Sequence, residues 1–348
     1  MQTAPNIAHE TIATALRSHY DFALQNLEFW PTGEASYGFI ATLDGAPPLF
    51  LKILDPTLAT HHIAIAHLDR VLPLILALSE AGLPLSRPLQ TGNGALHTAV
   101  NRFHLVALEY LDGATLGEKP WPAAVYPQLG RAVGRLHALT AELARYIPPR
   151  DGTSIPSRQD LETLLADIEA AANSPIKARR KLSAIVTPLR QQALDYHATM
   201  AALAAQVHET RPTWVLSHTD LTGHNLIRTK NGVVHLIDWE GACLAPREFD
   251  LAFFSDEPYE KCYGPFLEEY ARTSGISDFH EAAFLLRMYH RNFEDFVEGA
   301  KFVLQQDLDV AELDHALEVL LEDGVYDWPY FAAGEKKHRE FMRLWRQR

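Results

Sequence analysis

From Pro122 onward helical periodicity dominates the chain, with one break at residues 213 to 239. The break reads Trp214-Val-Leu-Ser-His-Thr-Asp-Leu-Thr-Gly-His-Asn225, then Leu-Ile-Arg-Thr-Lys-Asn-Gly-Val-Val-His-Leu-Ile-Asp238. Its Asn231-Gly232 pair is flanked by strand-like runs, Leu226–Thr229 and Val233–Ile237. This is the strongest short hairpin signal a sequence offers, since both residues tolerate the positive φ of a type I′ turn. A two-residue loop sets Asn225 directly opposite Asp238 at the open end of the hairpin. Directly paired residues share a sheet face, with Cβ atoms about 4.5–5.5 Å apart.

An amide oxygen and a carboxylate held that close form a hard-cation site of the kind that takes Mg²⁺ together with phosphates. Asp220 stands five residues before Asn225, in a loop with Thr222 and Gly223 that follows no helix or strand pattern. Phosphoryl transfer needs these parts: metal ligands, and a carboxylate to accept the proton of an incoming hydroxyl. A zinc cluster of His218, Asp220 and His224 is the alternative, but the spacing fits no finger or helical pattern. His218 is expected beneath the catalytic loop, holding its backbone.

The first third supplies further components. Residues 8 to 26 read as an amphipathic opening helix, followed by strand-like runs Leu27–Pro31, Tyr37–Leu43 and Leu49–Leu54. A helix over Leu58 to Ala81 closes at Gly82 and Pro84, and a strand, Phe103–Glu109, runs into a crossing point at Leu111-Asp112-Gly113. Lys52 lies in the apolar run Leu49–Leu54, where a charge has to be explained. Either it is an edge-strand lysine whose head reaches water, or it holds the α- and β-phosphates of a nucleotide. The second role needs a carboxylate on the next helix. Asp69 is the choice over Glu80, which lies at the helix end. The Gly33–Gly38 turn, with Ser36, could cover phosphates with backbone N–H groups. The fold class is α+β: a β-rich part over residues 1–108, a hinge at 109–113, and a large, mostly helical part over 114–348.

Composition narrows the partners. A net charge of −13 excludes nucleic acid, whose phosphates need clustered Lys and Arg. Cys243 and Cys262 are the only cysteines, too few for a disulfide framework or a cysteine-ligated zinc. Met1 to Glu10 has no signal-peptide pattern, and the longest apolar stretch, Val71 to Leu78, is too short to cross a membrane. The expected location is cytoplasmic.

The order Lys52, Asp69, His218-x-Asp220-x4-Asn225, Asp238 resembles the aminoglycoside phosphotransferase and choline kinase group of kinase-like small-molecule phosphotransferases. The motif dialect, Ser217-His-Thr-Asp220, Ile237-Asp-Trp-Glu240 and Leu244-Ala-Pro-Arg-Glu-Phe-Asp250, is most similar to the spectinomycin branch. The resemblance implies a protein-kinase-like two-lobe fold. It implies Asp220 as catalytic base with His218 beside it, Asn225 and Asp238 as magnesium ligands, and Lys52 on the phosphates of ATP or GTP. It further implies that backbone around Glu109 to Leu111 contacts the base and that Asp250 braces the catalytic loop. There are two departures. Glycine is commoner at the Thr219 position, and the lysine's helix partner is usually glutamate, one methylene longer than Asp69.

A cationic acceptor would call for carboxylates, and the helical run His280 to Gln305 carries Glu294, Asp295 and Glu298. Glu240 is a further acceptor candidate, as are Asp256 and Glu257. An ordinary solvated helix face with intrahelical pairs accounts equally for the first three. Three functions follow: a kinase of aminoglycosides or aminocyclitols, a metabolic kinase of choline, homoserine or a sugar, and a nucleotide-binding pseudokinase.

Overall fold

Helix α1 (His9–Tyr20) stops at Asp21, whose left-handed φ of 59° turns the chain out of the helix. The expected opening helix therefore ends six residues early, and Leu24 instead starts strand β1 (Leu24–Trp30). The computed structural model describes residues 4–31, 36–117, 121–149, 152–252, 259–275, 278–305, 310–321 and 343. After β1 come β2 (Tyr37–Leu43), β3 (Leu49–Leu54), α2 (Ala59–Glu80), β4 (Thr98–Val100), β5 (Phe103–Glu109), β6 (Gly113–Thr115) and α3 (Val125–Ala138). Next are α4 (Arg158–Ala170), α5 (Lys177–Val186), α6 (Arg190–Thr210), β7 (Trp214–Ser217), β8 (Leu226–Thr229), β9 (Val234–Leu236) and β10 (Cys243–Pro246). The chain continues with α7 (Glu248–Leu251), α8 (Tyr259–Ser274), α9 (Glu281–Gln305) and α10 (Val310–Leu320). Two compact units result, the first made of residues 1–150, 215–244 and 265–275, the second of 151–214, 245–264 and 276–348.

In the first unit an antiparallel sheet runs in the order β1-β2-β3-β5-β4. Alternation sends Leu49, Leu51 and Ile53 of β3 into a core with Ile12, Leu16, Phe39, Leu43 and Leu105. Phe50 and Lys52 take the other face. Because β3 lies between β2 and β5, Lys52 is not an edge-strand lysine; its neighbours across the sheet are Gly38 and Val106. A side chain at residue 38 would meet the Phe50 ring at 2.9 Å, which explains the glycine.

A second sheet, β6-β8-β9, carries the expected hairpin in a shifted register. Leu226 pairs with Leu236 and Ile227 with His235, so Asn225 faces Ile237, whose N–H donates to Asn225 O at 3.0 Å. Asn225 and Asp238 are therefore not a directly opposed pair. The reason is the loop: only Gly232 has positive φ (85°), whereas a type I′ turn needs it at both central residues. Asn231 instead accepts from the Thr229 hydroxyl (2.6 Å) and the Val233 N–H (3.2 Å), which makes a three-residue loop, Lys230 to Gly232. Close backbone approach locks this sheet to the preceding strand: a side chain on Gly113 would collide with Arg228 O, and one on Gly223 with Gly117 O.

Helix α3 packs on the 265–275 segment through two glycines. Cβ atoms on Gly130 and Gly134 would run into the carbonyls of Phe266 and Tyr270. A His137 Nδ1 to Tyr270 hydroxyl bond of 2.9 Å and an Arg131–Glu269 ion pair of 3.2 Å fasten the same contact.

The described part of the second unit is almost wholly helical. Ser157 and Asp160 form a capping box that starts α4. The 25-residue α9 buries Phe284, Phe293 and Phe296. Arg247 and Glu248 are fully buried together, 3.1 Å apart, with Asp278 3.0 Å from the same guanidinium. Burial raises the Glu248 carboxyl, and Arg247 works against that rise.

Candidate active site

The loop after β7 and the turn after β9 both belong to the first unit, as does Lys52. Asn225, buried at the start of the hairpin, clamps Asp220 twice: its Nδ2 donates to Asp220 O (2.9 Å) and to Asp220 Oδ2 (2.7 Å). With the amide nitrogen so committed, Asn225 Oδ1 is the atom left to meet a cation. His218 is fully buried, and both ring nitrogens serve the backbone. Nε2 donates to Ile237 O at 2.9 Å, and Nδ1 accepts from the Asp220 N–H at 3.3 Å. Its ring packs against Trp239 with centroids 4.5 Å apart. His218 thus joins the Asp220 loop to the end of the hairpin.

Asp238 follows in the left-handed region (φ 67°) and opens a short 3-10 turn, Trp239–Gly241. Thr219 is left-handed too (φ 69°). These are strained positions for residues with a side chain, a feature that clusters at functional sites. The Thr219 hydroxyl donates to Gly241 O at 3.0 Å, so the two strained segments brace each other. A glycine here would be unstrained; threonine replaces that freedom with a hydrogen bond.

Lys52 Nζ lies 3.1 Å from Asp238 Oδ1 and 3.0 Å from Glu240 Oε1. Burial pulls the ammonium pKa down, but the Glu240 and Asp238 charges outweigh it and hold Lys52 well above its usual value. Lys52 in turn draws Asp238 down to about 2. Glu240 goes the other way. Burial raises it, and the neighbouring Asp238 charge adds to the rise that Lys52 opposes. Of the two carboxyls, Glu240 is the one that holds a proton longer.

The expected Lys52–Asp69 ion pair does not form. Asp69 points away, 90% exposed, and bonds His97 Nε2 at 3.0 Å. The buried face of α2 carries Ala64, Val71, Leu72, Ile75 and Leu78, and Asp69 lies outside that stripe. Glu80 is also exposed, at the helix end. Glu240, expected near an acceptor, is instead the second carboxylate on Lys52, and Gly241 is a residue the sequence reading missed. The Asp-x-Glu spacing of residues 238 and 240 on a tight turn was the available signal.

Gly33 lies outside the described residues, as do Asp256 and Glu257; Ser36 is half-buried just before β2. At the end of β5, Glu109 N–H donates to Arg87 O (2.8 Å), and the Ser86 hydroxyl donates to Glu109 O (2.7 Å). Leu111 sits in the link to β6. In the second unit, Asp250 is fully buried in α7 and its N–H donates to Arg247 O at 3.1 Å. On α9, Glu294 pairs with Arg287 at 3.2 Å and Asp295 with Arg291 at 3.1 Å, while Glu298 is exposed. Burial works to raise Glu294, but Arg287, His290 and Arg291 hold it below the usual carboxylate range. Among the described residues no group of three or more His, Cys, Asp and Glu side chains is arranged to hold a metal. The alternative zinc cluster is therefore not formed, and His218 has no ring nitrogen to offer it.

The first unit thus holds Lys52, on an inner strand, between two carboxylates, and clamps Asp220 with Asn225 at the hairpin mouth. Residues 33–285 match the phosphotransferase enzyme family known as APH. The chain belongs to this family. No curated protein matches it by sequence. Among solved structures it resembles spectinomycin phosphotransferase APH(9)-Ia in complex with ADP and spectinomycin. The two are 16% identical, with 95% of this chain and 100% of that one covered at a TM-score of 0.74. The macrolide 2'-phosphotransferase MphH from Brachybacterium faecium is 17% identical, covering 90% and 98%, at a TM-score of 0.57. Amicoumacin kinase hAmiN, in complex with AMP-PNP, Ca²⁺ and Ami, is 15% identical, covering 92% and 95%, at 0.56. These likenesses establish the kinase-like fold of the APH family for this phosphotransferase. Among the described residues no helix is long and apolar enough to cross a membrane.

Proposed function

We propose that the chain transfers the terminal phosphoryl group of ATP or GTP to a hydroxyl of a small molecule, an aminoglycoside or aminocyclitol, as an antibiotic-resistance kinase would. The observation that carries this reading is the double clamp of Asn225 on Asp220, at 2.7 and 2.9 Å. It aims the Asp220 carboxylate to take the proton of an incoming hydroxyl. In the transfer, the acceptor oxygen bonds the γ-phosphorus as the β–γ bridging P–O bond breaks. The proton goes to Asp220, and the nucleoside diphosphate leaves. Lys52 steadies the α- and β-phosphates, and the hinge backbone near Glu109 and Leu111 receives the base.

Magnesium fits the donor set: Asn225 Oδ1 and Asp238 are oxygen ligands, and fewer than three protein ligands suits a cation that keeps phosphates and waters in its shell. Bound there, it would supply neutralisation of the phosphate charge.

One observation favours a second reading, a metabolic kinase of choline, homoserine or a sugar, and within it the sugar, whose hydroxyls carry no charge. The α9 carboxylates that the sequence offers to an ammonium are already paired, Glu294 with Arg287 and Asp295 with Arg291. A neutral acceptor would need no release of these pairs.

The test is ADP release from Mg-ATP with spectinomycin, several aminoglycosides, choline, homoserine and sugars, with Asp220→Asn as control. Turnover on an aminocyclitol or aminoglycoside that the variant loses supports the first reading. Turnover on a metabolite alone supports the second. Nucleotide binding without turnover on any of them would point to a pseudokinase.

A further inference from the structure

In a kinase-like site the phosphate-binding lysine is held in place by a carboxylate on the helix that follows its strand. This chain has no such carboxylate. The only acidic residues of α2 are Asp69 and Glu80, both exposed, and Asp69 is engaged by His97. The inward face of the helix carries apolar side chains such as Ala64, Leu72 and Ile75, and its one buried polar residue among those described, His61, accepts from the Asp55 N–H at 2.9 Å and brings no carboxylate.

Among the elements that pack against α2 is the 3-10 turn Trp239–Gly241. Glu240, in the middle of that turn, brings Oε1 to 3.0 Å from Lys52 Nζ. Its other oxygen, Oε2, is buried, and the carboxyl is oriented by Lys52 together with the side-chain hydrogen bond it shares with Asp238. The turn is rigidly based. It begins at left-handed Asp238, and Gly241 is tied back to Thr219.

We infer that Glu240 is the positioning residue of Lys52, and that the turn after Asp238 has taken over the task of the helix carboxylate. Asp238 cannot do this alone. Once a metal-bound nucleotide engages Asp238, Glu240 is the carboxylate left to hold the ammonium in line with the phosphates. The inference rests on the proposed nucleotide site and deepens it.

A double-mutant cycle on nucleotide affinity tests it. ADP binding is measured by calorimetry in chelator and again at saturating Mg²⁺, for wild type, Lys52→Ala, Glu240→Ala and the double variant. Thermal melts confirm that each is folded. Glu240→Ala is expected to weaken ADP binding about threefold to tenfold at saturating Mg²⁺, as loss of a charge-assisted contact does, and by less in chelator, where Asp238 still holds Lys52. In the Lys52→Ala background the same change should alter affinity less than about twofold. Glu240→Gln, which keeps an oxygen acceptor, should recover part of the loss.

Equal effects of Glu240→Ala with and without Lys52 would overturn the inference, as would tighter binding by Glu240→Ala. So would a loss confined to the Mg²⁺ concentration required, which would make Glu240 a metal ligand. If wild type binds no ADP, or Lys52→Ala binds it unchanged, the nucleotide site itself is wrong and the inference falls with it.

Discussion

The Thr219 hydroxyl and the Gly241 carbonyl are 3.0 Å apart, and that bond joins the loop of Asp220 to the turn of Asp238. The contact leaves no room for a larger residue, since a Cβ on Gly241 would stand 2.7 Å from Thr219 Oγ1. Gly241→Ala is expected to destabilise the fold by about 1–3 kcal/mol through overpacking. Adding Thr219→Gly should recover most of this, because it removes both the colliding oxygen and about 1 kcal/mol of left-handed strain. Chemical denaturation of the single and double variants checks it; additive losses would refute the coupling.

The Lys52 cluster gives stability two opposite dependences on pH. Asp238 is depressed to about 2 in the folded chain, so its contribution is present above the usual aspartate pKa and is lost as pH falls toward that value. Glu240 is raised, so the folded chain keeps a proton that the unfolded chain has released, and stability falls as pH climbs past the ordinary glutamate value. Glu240→Gln removes the second effect and not the first. Its melting temperature should exceed that of wild type at about pH 8 and converge with it near about pH 4. A constant offset between the two melting curves would show that Glu240 does not titrate differently on folding.

The α3 glycines should differ in tolerance. At Gly130 an added Cβ would overlap the Phe266 carbonyl and reach its Cα at 3.1 Å, all backbone that cannot swing aside. At Gly134 the nearest atom is Tyr270 O at 2.9 Å, with the Thr273 side chain next at 3.0 Å. Gly130→Ala is therefore expected to cost about 3 kcal/mol or more, and Gly134→Ala about 1–2 kcal/mol. Urea titration ranks them, and the reverse order would mean that α3 can shift as a body.

Arg247 and Glu248 form a fully buried charge pair. Arg247→Ala strands the Glu248 carboxylate and should destabilise the second unit by about 3–5 kcal/mol, whereas Arg247→Met with Glu248→Leu should be much milder. Calorimetric unfolding distinguishes a charge penalty from simple loss of volume, which would leave the double replacement as damaging as the single.

The parts of this molecule that could be read from sequence are those where the pattern is local. The strands Leu49–Leu54 and Phe103–Glu109 fall where alternation and turn residues place them. The motifs that point to the family, within residues 217–250, lie inside the span 33–285 that its model matches. The hairpin register did not follow, because Asn-Gly serves a three-residue loop as readily as a two-residue one, and side-chain bonds of Asn231 decided between them. Asp69 was misplaced because it was chosen by residue type. Counting about 100° per residue puts it roughly 120–140° around the helix from Ile75 and Ala64. The role of Glu240 was hidden for a different reason: it depends on a contact across 188 positions of sequence, which no local pattern encodes.

The seating of Gly130 and Gly134 against residues 266 and 270 also governs how the protein can be made. A growing polypeptide leaves the ribosome from its amino end, and the first unit is not complete in its first 150 residues. It needs a strand pair from 215–244 and a helical piece from 265–275. The glycine face of α3 must wait uncovered while more than a hundred residues are still to be translated. Arrested chains released before residue 275 should therefore bind chaperones and be cut readily by protease, and protection should arrive abruptly once that helical piece has emerged.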